Sequence, residues 1–288
     1  MNAFTLEFGR FRLDLGSYAC IMGILNTTPD SFSDGGRFNS LETATAQGRQ
    51  LVKAGAHILD IGGESSRPFA QPVSDQEEMD RTIPVIEALA KEIDVPISID
   101  TVKSSVARAA LDAGAAIIND ISAFEKDPAM ADLAAETRAP VILMHMRGTP
   151  ETMQVNPSYN DLMGEITTYL QERVDFSLSR GIARDKIILD PGIGFGKTVN
   201  HNLVLIKELH RLTAMGFPIL MGPSRKSFIQ HILSQASGKK TAPDDLGTEY
   251  GTLAACAASL MNGAHIVRVH DVQRISSFTR IIDAIRNA

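Results

Sequence analysis

Met22-Gly-Ile-Leu-Asn-Thr-Thr-Pro-Asp-Ser-Phe-Ser-Asp-Gly-Gly36 is the stretch from which the fold is read. It opens in a short apolar strand, residues 20–25, that stops abruptly at Asn26. Asp30 and Asp34 follow in a segment broken by Pro29, Gly35 and Gly36. A polar side chain at the carboxyl end of a buried strand, followed by an acidic loop, is how (β/α)8 barrels build their sites. Alone, the segment reads equally as a turn, since Pro, Asp and Gly supply turn dihedrals and Asx hydrogen bonds. The rest of the chain has to decide between the two.

The pattern recurs. Apolar runs at residues 57–61, 97–99, 116–119, 141–144, 186–189, 219–221 and 266–269 alternate with helical periodicity at 41–54, 76–91, 104–113, 129–136, 159–180, 203–214, 225–233 and 246–262, and 272–285 closes the chain. The strand candidates are continuous apolar runs, so both faces are expected to be buried, as in a parallel sheet. Strand–helix alternation at this regularity predicts an α/β fold, a (β/α)8 TIM barrel, with an open doubly wound sheet as the alternative. Residues 1–16 alternate around Gly9-Arg10 and predict a β-hairpin capping the bottom of the barrel. No linker, low-complexity tract or charge run divides the chain, and 1–288 reads as one domain.

Bulk properties narrow the function classes. A hydrophobic content of 44% supports a large core, and a formal charge of −6 without a Lys/Arg-rich block argues against nucleic-acid binding. No apolar stretch approaches the ~20 residues of a membrane span. Residues 1–16 carry Glu7, Arg10, Arg12 and Asp14, unlike a targeting signal. Cys20 and Cys256 lie in apolar runs and read as small buried hydrophobes of a reducing compartment, so a cytoplasmic location is expected.

The polar residues after each run carry the chemistry. In order they are Asn26, Asp60, Asp100, Asn119-Asp120, His145-Met146-Arg147, Asp190, Ser224-Arg225-Lys226, and Arg268 with His270. A lone Asp at a strand end is usually the N-cap of the next helix, but Asn, Arg and Lys at successive ends are not explained by capping. In a barrel they converge on one rim. Asp100, Asn119 and Asp190 offer acceptors for a heterocycle with several N–H donors; Arg67, Lys226, Arg268 and His270 offer donors for phosphate or carboxylate. The expected substrate therefore has a base-like head and an anionic tail.

Other motifs are weaker. The run Asp190-Pro-Gly-Ile-Gly-Phe-Gly-Lys-Thr198 ends like a P-loop, but Pro191 stands where the first glycine is needed, so it reads as a flexible loop. Phe195 at its centre is either an apolar lid or a packing residue. His145 and His201 lack the spacing of a zinc site, and neither cysteine lies near a plausible base.

Two long stretches, residues 23–34 and 55–68, together with Ser224-Arg-Lys226 and Arg268-Val-His270, closely resemble the dihydropteroate synthase family of pterin-binding enzymes. The likeness spans about residues 21–271. It implies a (β/α)8 barrel, commonly a homodimer, that joins a dihydropterin pyrophosphate to p-aminobenzoate with the help of magnesium. It further implies that Asp100, Asn119, Asp190 and Lys226 hold the pterin, with Ile121, Met144 and Gly222 near it and Arg268 stacked on its ring. Asn26 would ligate magnesium, joined by Asp34 on loop closure; Ser66, Arg67, Arg268 and His270 would hold the pyrophosphate. Pro68, Phe195, Lys226 and Ser227 would frame the aminobenzoate, its carboxylate at a helix N-terminus.

The chain departs from the family pattern at Ser66, often Thr, and at Phe69, usually Gly, where a bulky side chain bears on sulfonamide response and second-substrate affinity. Pro223 occupies a variable position. Two related readings compete. A corrinoid-dependent methyltransferase of the pterin-binding group would share Asp100, Asn119 and Asp190 but has no need of Asp34, Arg67 or Ser224-Arg-Lys226. A non-catalytic pterin-binding paralogue should have lost Asp34, Ser66, Arg67 or Lys226, and all are present. A generic phosphate-binding barrel leaves the acceptor-rich wall unexplained.

Overall fold

The structure, a computed structural model, describes residues 3–28, 37–66 and 70–288, with 37–40 by backbone alone. The expectations for Asp34, Arg67, Pro68 and Phe69 lie outside the described residues. A hairpin, β1 (Phe4–Phe8) and β2 (Phe11–Leu15), precedes eight parallel strands: β3 (Cys20–Asn26), β4 (Ile58–Gly62), β5 (Ile97–Asp100), β6 (Ile117–Asp120), β7 (Val141–Met144), β8 (Ile187–Asp190), β9 (Leu220–Met221) and β10 (Ile266–Val269). Their order is β8-β7-β6-β5-β4-β3-β10-β9, and a parallel bridge between Leu189 and Ile219 links the two ends. The sheet is thus a nearly closed barrel, not an open doubly wound sheet.

The helices outside it are α1 (Arg37–Lys53), α2 (Asp75–Ala90), α3 (Ser104–Asp112), α4 (Ala129–Thr137), α5 (Leu162–Ser179), α6 (Val199–Lys207), α7 (His210–Thr213), α8 (Ser227–Ser237), α9 (Leu246–Met261) and α10 (Val272–Arg286). The single helix expected over 203–214 is two, α6 and α7. The helix expected from 159 starts at Leu162 because Asp161 caps it, accepting the backbone N–H of Gly164. Several strands also run one residue past their apolar stretch. Asp100 pairs with Asn119 and Met144 with Asp190, because the ladder uses backbone groups and continues beneath a polar side chain.

Side-chain alternation divides the barrel into layers. Ile21, Leu59, Ile99, Ile118, Leu143 and Leu189 face outward and pack with the helices in one core. Met22, Ile58, Ile117, Ile142, Ile188, Leu220 and Ile266 face inward near the strand starts. Leu6, Phe8, Leu13 and Leu15 of the hairpin pack onto that inner layer, so the hairpin plugs the barrel bottom as expected. Each such side chain contributes about 1.5–3 kcal/mol when fully buried. With the lower end filled by apolar side chains, the interior is left open to ligands only from the carboxyl ends of the strands.

Candidate active site

Two residues beyond the apolar inner layer, the same inward register becomes polar. Ile58 is followed by Asp60, Ile117 by Asn119, Ile188 by Asp190 and Ile266 by Arg268, while Ser98 is followed by Asp100. Period-two geometry keeps these side chains on the inner face. They meet in one cleft of about 360 Å³, counting its mouth, which brings Asp100, Asn119, Asp190, Lys226 and Arg268 together. Ser66, Ile121, Met144, Ile193, Phe195 and Gly222 also line it. Asn26 and His270 sit at the strand ends and Ser227 opens α8; none of the three lines this cleft.

Arg268 organises the floor. Its Nε donates to Asp60 Oδ2 and its Nη2 to Asp100 Oδ2, each at 2.6 Å. Burial alone would lower the guanidinium's pKa, but the two carboxylates outweigh it and hold the charge in place. These bonds use the edge of the guanidinium plane and leave its faces for stacking. Asp60, fully buried, also accepts from Asn119 Nδ2 at 3.3 Å. That commits the amide NH2 and leaves the Asn119 carbonyl oxygen as an acceptor. Asp60 stood among the strand-end polar residues in the sequence but carried no assigned role; the structure gives it one, holding Arg268 and Asn119 in place. Of the Asn119-Asp120 pair only Asn119 serves the cleft. Asp120 instead caps the following turn, accepting from the N–H groups of Ser122 at 2.7 Å and Phe124 at 2.9 Å.

Asp190 Oδ1 accepts the Gly192 N–H at 2.7 Å, which leaves Oδ2 for a ligand. Burial pushes its carboxyl up to about 6, against the pull of that hydrogen bond and the nearby lysines. Asp100 is likewise pushed up by burial and drawn back by Arg268. Lys226 is pushed down to about 8 by burial and by Arg268, so it remains mostly charged at neutral pH.

The glycine-rich stretch after β8 is packed, contrary to the flexible loop expected. Ile193, Phe195 and Lys197 are all buried. Its backbone is held from three sides: Gly194 O accepts from Gln154 at 2.6 Å, Gly196 O from Tyr159 at 2.9 Å, and Gly194 N–H donates to Asn202 at 2.7 Å. Glycine is required because the loop lies directly against the chain after β7. A Cβ on Gly192, at φ +71°, would sit 2.0 Å from the His145 carbonyl oxygen. Gly192→Ala is expected to destabilise the fold by at least about 2 kcal/mol, combining a disfavoured φ with a backbone clash. Urea denaturation checks this; an unchanged midpoint would refute the close packing.

Phe195 is both wall and packing residue. Its ring packs with Met144 and Met153, and Lys226 Nζ lies 3.9 Å from the ring centroid. Lys226 also precedes the first residue of α8, Ser227, so a cation and a helix N-terminus meet where the aminobenzoate carboxylate was expected. Arg225 faces away, paired with Glu249 at 2.5 Å. His270 is fixed by Ser224, whose Oγ lies 2.9 Å from Nδ1 and accepts the His270 backbone N–H at 3.2 Å.

Beside the cleft opens a wider hollow of about 1060 Å³, counting its solvent-filled mouth, that shares Ser66, Asp100 and Ile121 with it. Of its three glutamates, Glu64 and Glu78 are both paired with Lys103, and Lys126 lines the hollow beside Glu125. Among the described residues no cluster of three His, Cys, Asp or Glu could hold a metal. Asn26 ends β3 half-buried, presenting one hard oxygen donor. That suits a cation such as Mg²⁺, which keeps several waters and takes its remaining oxygens from substrate phosphates. Cys20 and Cys256 are buried, their thiols pushed up to about 12, which rules out a thiolate nucleophile at neutral pH. No helix among the described residues is long and apolar enough to cross a membrane.

Comparison with known proteins bears on the family and the fold. Residues 22–270 match the family of pterin binding enzymes. The dihydropteroate synthase of Synechocystis is 50% identical over 97% of this chain and 94% of its own length. The Yersinia pestis dihydropteroate synthase, solved with a sulfonamide drug, superposes with a TM-score of 0.91 at 43% identity, covering 99% of this chain and all of that one. The Xanthomonas albilineans enzyme in complex with 7,8-dihydropteroate gives 0.86 at 38% identity, over 99% of both chains.

Proposed function

The chain belongs to the dihydropteroate synthase family of pterin-binding enzymes, and we propose that it condenses 6-hydroxymethyl-7,8-dihydropterin pyrophosphate with p-aminobenzoate, releasing 7,8-dihydropteroate and pyrophosphate in folate biosynthesis. The observation that carries this reading is the convergence of Asp100, Asn119 and Asp190 with Lys226 and Arg268 in one cleft. The acceptors suit the N–H edge of a pterin, and the cations suit what leaves and what arrives.

The chemistry follows from where charge develops. The arylamine lone pair forms the new C–N bond at the pterin methylene carbon, the C–O bond breaks, and pyrophosphate departs with the bonding pair. The pterin delocalises positive charge at the methylene, so a loose displacement is favoured. The arylamine is neutral at pH 7, and no general base is required; the proton it loses passes to water or to the departing phosphate. Arg268 and His270, with Ser66 and Arg67, neutralise the leaving group. Lys226 and Phe195, with Pro68, frame the aminobenzoate, whose carboxylate meets the α8 N-terminus at Ser227. Magnesium belongs to this proposal: Asn26, with Asp34, would hold it, and it would supply further charge neutralisation to the pyrophosphate.

The test is pyrophosphate release by purified protein given both substrates and magnesium. Release dependent on p-aminobenzoate and matched mole for mole by dihydropteroate is expected. No release, with retained pterin binding, would assign the chain to a non-catalytic binder.

The pH dependence has a definite sign. Asp190 is raised to about 6, so its acceptor is lost about two pH units above an ordinary aspartate. Activity with pterin pyrophosphate should therefore decline as pH falls through 6, once a carboxyl proton faces the ring N–H groups. A kcat/KM profile that stays level down to pH 5 would contradict Asp190 as the ring acceptor.

The proposal extends to a homodimer in the cytoplasm. Support comes from exposed Leu246, Tyr250 and Met261 on α9 and Phe278, Ile281 and Ile285 on the adjoining α10, an apolar surface of the kind subunits cover, and from buried free thiols suited to a reducing compartment. Sedimentation equilibrium at twice the chain mass is expected; a monomer would remove the dimer without touching the reaction.

A further inference from the structure

One buried lysine near the cleft does not line it. Lys197 is 3% exposed, yet no carboxylate accepts a hydrogen bond from it among the described residues. Its ammonium lies instead between the loops after β7 and β8. Nζ is 3.0 Å from His145 Nδ1, 2.9 Å from the Phe195 carbonyl oxygen and 3.4 Å from the His145 carbonyl oxygen. Burial pushes the amine down to about 7, against the pull of Asp190, and in its ammonium form three N–H donors meet three acceptors. His145 can accept because burial, reinforced by the charge of Lys197, pushes its ring down to about 2 and keeps it neutral.

An ion-paired lysine would be the more economical way to fill this space, since burying a charge without a hydrogen-bonded carboxylate is costly. What the arrangement does secure is the position of Phe195. That residue is gripped on both sides: Lys197 holds its carbonyl from behind the loop, and Lys226 covers its ring from the cleft side at 3.9 Å. We propose that Lys197 is a positioning residue for the second substrate, clamping the Phe195 backbone so that the phenyl ring forms a fixed wall for the aminobenzoate. The identity of that substrate rests on the function proposed above.

The experiment is steady-state kinetics on Lys197→Met, which keeps side-chain length and removes the donors, alone and in a Phe195→Ala background. Measured at pH 8.5, where Asp190 stays ionised even without the nearby Lys197 charge, Lys197→Met is expected to raise KM for p-aminobenzoate about tenfold, with KM for pterin pyrophosphate and kcat changed less than about threefold. In the Phe195→Ala background the same substitution should add less than about twofold, because the clamp then has no ring to place. If Lys197→Met does not fold, Lys197→Gln, with two N–H donors, carries the comparison and should give a smaller rise in the same KM. A parallel rise in both KM values, or an undiminished effect beside Phe195→Ala, would overturn the assignment. Wild-type protein is the control that separates the two claims. No dihydropteroate from it refutes the function and this inference with it, whereas normal turnover with an unchanged aminobenzoate KM in Lys197→Met refutes the clamp alone.

Discussion

Arg268→Ala should reduce kcat/KM about a thousandfold, the scale seen when one preorganised charge is removed from a site that stabilises a departing anion. The loss has two sources. The leaving pyrophosphate forfeits a fixed cation. In addition, Asp60 and Asp100, both bonded to Arg268 at 2.6 Å, are left facing each other without it. Burial already pushes Asp100 up to about 7 against the pull of Arg268, so without the guanidinium it takes up a proton, and the acceptor wall changes along with the cationic one. Breaking such a buried pair also costs about 3–5 kcal/mol of stability. Turnover is therefore best measured at low temperature on protein shown to be folded by circular dichroism. Arg268→Lys keeps the charge but cannot bridge two carboxylates with a rigid fork, and should fall between wild type and alanine. Near-wild-type rates in Arg268→Ala would refute its placement in the reaction.

Asp190→Asn should cause a loss of similar or greater size with the opposite effect on stability. An amide presents a donor where the pterin ring presents N–H groups, and sites built to hydrogen-bond a substrate discriminate by about 10⁴-fold when one partner is wrong. The Gly192 N–H can still bond to the remaining carbonyl oxygen, so the loop keeps its anchor. The folded-state pKa near 6 lies above the ordinary aspartate value, so the ionised carboxylate is disfavoured in the fold at any pH above that point. Two pH units correspond to roughly 2–3 kcal/mol, which removal of the charge should return at pH 8 and not at pH 4. Denaturation midpoints of wild type and Asp190→Asn at those two pH values, set beside kcat/KM, check both halves. A variant that is less stable at pH 8, or that retains activity, would contradict the assignment.

Much of this site was legible before the coordinates. Eight apolar runs without alternation implied strands buried on both faces, and the polar residue ending each run marked the rim. The cleft unites Asp100, Asn119, Asp190, Lys226 and Arg268 because strand order fixes which ends are neighbours. What was hidden depends on contacts between distant segments. Asp60 and Arg268 are 208 positions apart, and Lys197 and His145 are 52 apart; no local pattern signals either pair. The glycines between Pro191 and Lys197 misled for a different reason. The residue that gives a loop freedom is also the one that lets two backbones touch, and only the proximity of the His145 carbonyl distinguishes the uses. Strand ends shifted because the hydrogen-bonded ladder runs on past the last apolar side chain.

The central claim is that one cleft receives the pterin on its acceptor wall and the aminobenzoate on its cationic side. A crystal structure of this protein with 7,8-dihydropteroate tests it most directly. The account predicts the pterin ring within hydrogen-bond reach of Asp100, Asn119 and Asp190, and the aminobenzoyl group between Phe195 and Lys226 with its carboxylate toward Ser227. A ring seated instead in the glutamate-lined hollow beside Tyr169, or a reversed product with its carboxylate among the aspartates, would contradict it.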